Sequence, residues 1–93
     1  MSVTVYQFSS PTCEPCKIIK PMMDDLKEEF SDSVKWVSVN IHDDKEGYTE
    51  KYGVTLVPAM VVVAGSSIER HLGTRVAEYY RIIRNGIRLT QQS

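Results

Sequence analysis

The 93-residue chain has only two cysteines, two histidines, one tryptophan, four prolines and five glycines, and these scarcities exclude whole classes of protein. Two cysteines are too few for the disulfide framework of a small secreted domain. A zinc site, which needs four ligands, would have to take both histidines as well. His42 and His71 lie at spacings from Cys13 and Cys16 that fit no zinc-finger pattern, so no metal is expected and both histidines are read as solvated. The longest apolar run, Ala59 to Ala64, is six residues, far short of the roughly 20 needed to span a bilayer. Charge of one sign is missing too. With 12 acidic and 11 basic residues the formal charge is −1, which gives no general attraction to nucleic acid or to an anionic membrane. The first residues, Met1-Ser2-Val3-Thr4-Val5-Tyr6, show neither a basic start nor an apolar stretch, so no secretory signal is read there and a cytoplasmic location is expected. Repeats, linkers and low-complexity segments are lacking.

What is present is ordinary for a folded domain: 42% apolar and 25% charged residues, enough for one core and too few residues for two. A single domain over residues 1–93 is expected. Val3 to Phe8 is rich in β-branched and aromatic residues and ends at Ser9-Ser10-Pro11, the mark of a strand entering a loop. From Cys16, the apolar residues Ile18, Ile19, Met22, Met23, Leu26 and Phe30 recur at helical steps among charged residues. Pro21, inside that stretch, predicts a kink. Val34 to Ile41 carries apolar residues on both alternations and reads as a strand covered on two sides. A short helix over Gly47 to Tyr52 ends at Gly53. Ala59–Ala64 and Ile68–Leu72 flank a turn at Gly65-Ser66-Ser67 and form a hairpin. Thr74 caps a last helix carrying Val76, Tyr79, Tyr80, Ile83 and Ile87, for which Asn85-Gly86 supplies a stop before a polar tail. The order β-α-β-(α)-β-β-α predicts an α/β fold. Its first two strands should be parallel, its hairpin should extend the same mixed sheet, and helices should cover both faces.

Both cysteines fall in Cys13-Glu14-Pro15-Cys16. Residues three apart within a regular helix hold their β-carbons about 5–6 Å apart, wider than a disulfide accepts, so Cys13 belongs at the loop-to-helix boundary. Pro15 then occupies the first turn, where its missing N–H costs nothing. At a helix N-terminus, free N–H groups and the helix dipole favour a thiolate at Cys13. Cys16, one turn deeper, stays buried and protonated. The pair can attack a disulfide through Cys13 and release it through Cys16. Glu14 works against the thiolate, because a neighbouring carboxylate disfavours a second negative charge. A purely structural staple is a poor alternative, since closing so short a loop contributes only about 2 kcal/mol.

A Cys-x-x-Cys that follows a strand and opens a helix resembles the thioredoxin family. Phe8, the run Cys13-Glu14-Pro15-Cys16-Lys17, Pro21, Val39-Asn40-Ile41, Tyr52-Gly53-Val54-Thr55-Leu56-Val57-Pro58, Gly65 and Gly73 carry the likeness over most of the chain. The resemblance implies a thioredoxin-like fold: a four-stranded mixed sheet flanked by helices, without the first strand and helix of full-length thioredoxins. It implies Cys13 and Cys16 as the catalytic pair and a cis Val57–Pro58 bond facing Cys13. Thr12, Glu14, Pro15, Val57, Pro58 and Gly73 would line the substrate path, where Val57 pairs with an extended substrate strand. No cofactor beyond the redox-active disulfide is implied.

There are also departures. Gln7 and Ser38 stand where thioredoxins usually carry a buried Asp and its Lys partner. Replacing both avoids an unpaired buried charge, and Cys16 is then expected to lose its proton to water or to the departing thiolate. Ser9 and Thr12 replace common tryptophans. The entry Ser9-Ser10-Pro11-Thr12-Cys13 is also similar to glutaredoxins, so a glutathione-dependent reductase is the alternative. Its Glu-Pro centre and Gly73-Thr74-Arg75 lack that family's usual residues, although Lys17 and Arg75 suit glutathione carboxylates. A non-catalytic thioredoxin-fold subunit is the third reading. The expected partners are disulfide-containing proteins and an electron donor, either a thioredoxin-reductase-like flavoprotein or glutathione. A monomer without nucleic-acid or membrane partners is expected.

Overall fold

The computed structural model describes residues 2–91. Strand β1 (Val3–Ser9) pairs in parallel with β2 (Lys35–Asn40) and antiparallel with β3 (Ala59–Ala64), which pairs antiparallel with β4 (Ser67–Leu72). The sheet order is therefore β2-β1-β3-β4. Helix α1 (Glu14–Glu29) joins β1 to β2, the single turn α2 (Tyr48–Lys51) precedes β3, and α3 (Val76–Gln91) follows the hairpin.

Period-two alternation divides the central strands between two cores. Val3 and Val5 of β1, with Met60, Val62 and Ala64 of β3, face the helices, where Ile19, Met23, Leu26 and Phe30 of α1 meet Tyr79, Ile82 and Ile83 of α3. On the other face Phe8, Val39, Ala59 and Val61 pack with Tyr52 and Val54. Helices do lie on both faces, but unequally: α1 and α3 share one, and only α2 serves the other. Strand β2 shows the expected two-sided pattern, since Val34 and Trp36 pack on the α1 side and Val37, Val39 and Ile41 on the opposite side. As an edge strand, however, it fully buries only Val39.

Helix α1 runs as one helix through Pro21, which lies on its exposed side. The hairpin turn is tighter than expected. Ala64 pairs with Ser67, leaving Gly65-Ser66 as a two-residue loop in which Gly65 supplies the positive φ of 63°; such loops match the twist of the flanking strands. Before α2, the Asp44 carboxylate accepts from the Tyr48 and Thr49 N–H groups at 3.1 and 2.7 Å. Hydrogen bonding from Thr49 above all holds that carboxyl below the usual carboxylate range. Because the folded value is depressed, the stability these bonds give is present above about pH 4 and is lost as pH falls through the lower folded value. Acid melts of Asp44→Ala should therefore decline less steeply below pH ~4 than those of the wild type; identical slopes would refute the assignment.

The last helix corrects the sequence reading twice. The first carbonyl to accept a helical bond is that of Arg75, at 3.0 Å from the Glu78 nitrogen, so Thr74 stands one residue before the cap. Asn85-Gly86 does not stop the helix either. The expected polar tail is helical to Gln91, and its last residues, Gln92 and Ser93, lie outside the described residues. Gly86 is buried against the sheet: a β-carbon there would sit 2.8 Å from Val62 Cγ1 and 3.5 Å from Val3 Cγ1. The glycine is a contact surface, and helix packing overrides its stop tendency. Among the described residues no helix is long and apolar enough to cross a membrane.

Candidate active site

Cys13 is the N-cap of α1, with extended backbone (φ −90°, ψ 108°), and its Sγ accepts from the Cys16 N–H at 3.2 Å. A side chain at this position meets one of the N–H groups that a helix start leaves free. Glu14, Pro15 and Cys16 fill the first turn, and Pro15 gives up no bond there. Cys13 and Cys16 are joined as a disulfide with Cα atoms 5.3 Å apart. Their surroundings differ as expected: Cys13 is partly exposed, whereas Cys16 is 8% exposed. On reduction the Cys16 N–H and the helix dipole favour charge on Cys13, and burial disfavours it on Cys16.

The remaining residues singled out in the sequence converge here. The Val57 carbonyl lies 3.7 Å from Cys13 Sγ, and the Val57–Pro58 bond is cis. The Gly73 N–H donates to the Pro58 carbonyl at 2.9 Å, and the Tyr79 hydroxyl donates to the Gly73 carbonyl. Burial pushes that phenol up to about 12, so it stays a neutral donor at ordinary pH. Thr12, Glu14 and Pro15 are exposed around Cys13. Glu14 is paired with Lys17 at 3.3 Å, which moderates but does not remove its field on Cys13. Glu14→Gly is expected to lower the Cys13 thiol pKa, read as faster alkylation below neutral pH; slower alkylation would contradict it.

Gln7 does not stand in for a buried acid. Its Oε1 accepts from Trp36 Nε1 at 3.0 Å, so the amide is committed to the indole, while Ser38, its partner across β1 and β2, is exposed. Two residues beside the site were missed. Ser10 is 7% exposed, and its Oγ lies 2.9 Å from His42 Nε2. No sequence spacing links residues 10 and 42. The parallel register Ser9↔Asn40 does so, by bringing the C-terminal ends of β1 and β2 together. Nor is His71 simply solvated, because its Nε2 is buried without a partner and its ring meets Tyr79 edge-on at 5.3 Å.

The family model described as Thioredoxin matches residues 1–84. This chain belongs to the thioredoxin family. It is 38% identical over 66 residues to Thioredoxin-T of Drosophila melanogaster, covering 71% of this chain and 41% of that protein. Against thioredoxin of Bacillus subtilis it is 32% identical over 77 residues, covering 82% of this chain and 73% of that one. It thus spans about two-fifths of the fly relative and most of the bacterial one. The fold is shared with solved thioredoxins. That of Fasciola hepatica superposes with a TM-score of 0.80 at 24% identity, covering 91% of this chain and 81% of that one. That of Trypanosoma brucei brucei gives 0.81 at 24% identity, covering 94% and 76%. The Cys-x-x-Cys of this chain stands at the start of α1. Among the described residues no group of three or more His, Cys, Asp or Glu side chains is placed to hold a metal.

Proposed function

We propose that this chain is a thiol–disulfide oxidoreductase that reduces protein disulfides by dithiol exchange, in a reducing compartment such as the cytoplasm. The Cys13 thiolate attacks one sulfur of the substrate disulfide, forming a Cys13–substrate bond and expelling the other sulfur as a thiolate. Cys16 then loses its proton and attacks Cys13 Sγ. The Cys13–Cys16 disulfide closes and the second substrate sulfur leaves. The substrate gains two electrons and the cysteine pair loses two. The carrying observation is that Cys13 caps α1 and accepts the Cys16 N–H, while Cys16 sits buried within bonding reach.

Val57, Pro58 and Gly73 supply the rest of the proposed binding edge. The Val57 carbonyl is beside Cys13 Sγ, where an extended substrate segment can pair with the backbone next to the reacting sulfur. Gly73 leaves room for close approach. The proposed donor is a flavoprotein reductase of thioredoxins. Gly73-Thr74-Arg75 lacks the double glycine of glutathione-binding relatives, which argues against glutathione. The test is turbidity from insulin reduction with each donor system supplied in turn. Wild type should work with the flavoprotein and poorly with glutathione, and Cys13→Ser should be inactive. An active Cys13→Ser protein would refute the dithiol reading and favour a binding subunit.

A further inference from the structure

Dithiol reduction has a proton deficit that the cysteines alone do not meet. A Cys13 thiolate and a Cys16 thiol convert one substrate disulfide into two product sulfurs, of which only one can inherit the Cys16 proton. The other proton must come from elsewhere. Gln7 carries none to give and is held by Trp36, and Lys17 is paired with Glu14 on the exposed side of α1.

A chain of hydrogen bonds runs from a titratable group to the residue that precedes Cys13. His42 Nε2 is 2.9 Å from Ser10 Oγ, and Ser10 Oγ is 3.0 Å from Thr12 Oγ1. Thr12 is exposed and immediately precedes Cys13. The turn is braced at two further points, by the Thr12 N–H donating to Ser10 Oγ at 3.2 Å and the Cys13 N–H donating to the Ser10 carbonyl at 3.1 Å. A hydroxyl has one proton. When Ser10 accepts from His42 Nε2–H, its own proton turns to Thr12 Oγ1, and the Thr12 proton is freed for a third acceptor.

We propose that His42, Ser10 and Thr12 form a proton relay that protonates the substrate sulfur expelled from the Cys13 site. The inference rests on the disulfide-reductase reading above. The imidazolium releases its Nε2 proton to Ser10, Ser10 passes its own to Thr12, and Thr12 gives its proton to the departing thiolate. The products are a neutral imidazole and a free thiol. His42 is exposed and regains its proton from solvent. The charged neighbours are few. Asp43 and Asp44 flank it on its own segment, and the Asp44 carboxylate already accepts from two N–H groups. The facing segment 9–12 is uncharged, and beyond it lie Cys13 itself and the Glu14–Lys17 pair.

The test uses the leaving group. Reduced full-length chain is mixed in single turnover with bis(2-hydroxyethyl) disulfide, whose basic alkyl thiolate gains from a proton, or with 5,5′-dithiobis(2-nitrobenzoate), whose acidic aryl thiolate leaves without one. His42→Gln can keep a hydrogen bond to Ser10 but cannot exchange protons, and Ser10→Ala breaks the chain in the middle. Each is expected to slow the alkyl disulfide about a hundredfold, at the low end of proton-transfer catalysis, with the aryl rate unchanged. If both rates fall together, or neither falls, the relay is overturned while the reductase reading stands. A wild type inert toward both disulfides overturns the reductase reading and the relay with it.

Discussion

Cys16→Ser is expected to trap the chain on its substrate. Attack needs only Cys13, which keeps its place at the start of α1 and its hydrogen bond from the residue-16 N–H, a backbone group the substitution leaves in place. Release needs a second sulfur held within reach. Intramolecular attack is worth an effective concentration of about 10⁵ M or more for well-placed groups, whereas any rescuing thiol in solution is present at far lower concentration. Turnover should therefore fall by at least about a thousandfold, and a covalent adduct should accumulate, visible by mass spectrometry and dispersed by added dithiol. Turnover near the wild-type rate, or no adduct, would show that Cys16 does not resolve the intermediate. Cys16 is mostly buried but small, so the serine hydroxyl at the edge of the core has only a modest effect on folding.

Gly86→Leu is expected to destabilise the packing of α3 on the sheet strongly. Even alanine places a β-carbon 2.8 Å from Val62 Cγ1, and Ala64 Cβ stands 3.6 Å away on the same strand. Val62 is 2% exposed and stiff at its β-branch, so it cannot turn aside as a surface side chain would. Alanine gains about 1 kcal/mol of helix propensity over glycine, while overpacking costs about 1–3 kcal/mol. The clash wins for alanine by a small margin. Leucine adds three more carbons at a place where α3 must press on β1 and β3, and a loss of about 3 kcal/mol or more is expected, with a melting temperature lower by over ~10 °C. A melting temperature within ~2 °C of the wild type would show that α3 does not pack as described. Below its melting point the variant should still alkylate at Cys13, because Gly86 touches none of the redox residues.

Much of the site was legible because its chemistry is local. Cys13, Glu14, Pro15 and Cys16 occupy one helical turn, and a proline in that turn with a cysteine at its mouth already defines the helix start, the exposed sulfur and the buried one. The strands were legible for a similar reason: Val3–Phe8 and Ala59–Ala64 carry β-branched residues in runs bounded by turn residues. The misreadings share a cause. Asn85-Gly86 carries a genuine stop signal, yet α3 continues because the glycine fits against Val62 and Val3, a partnership spanning more than twenty residues of chain. Thr74 carries a capping side chain, yet Arg75 takes the cap position and the helix begins at Val76.

By itself, the order of residues determined the local parts of this protein: which segments extend, which coil, and which sulfur meets a helix start. Such properties follow from backbone preferences and neighbours a few positions away. Only the folded sheet decided the rest. It brought Val57 to Cys13, Gly73 to Pro58 and His42 to Ser10, and it turned Gly86 from an ending into a contact. These contacts depend on strand pairing and on the close packing of α3, long-range choices settled by burial across the whole chain.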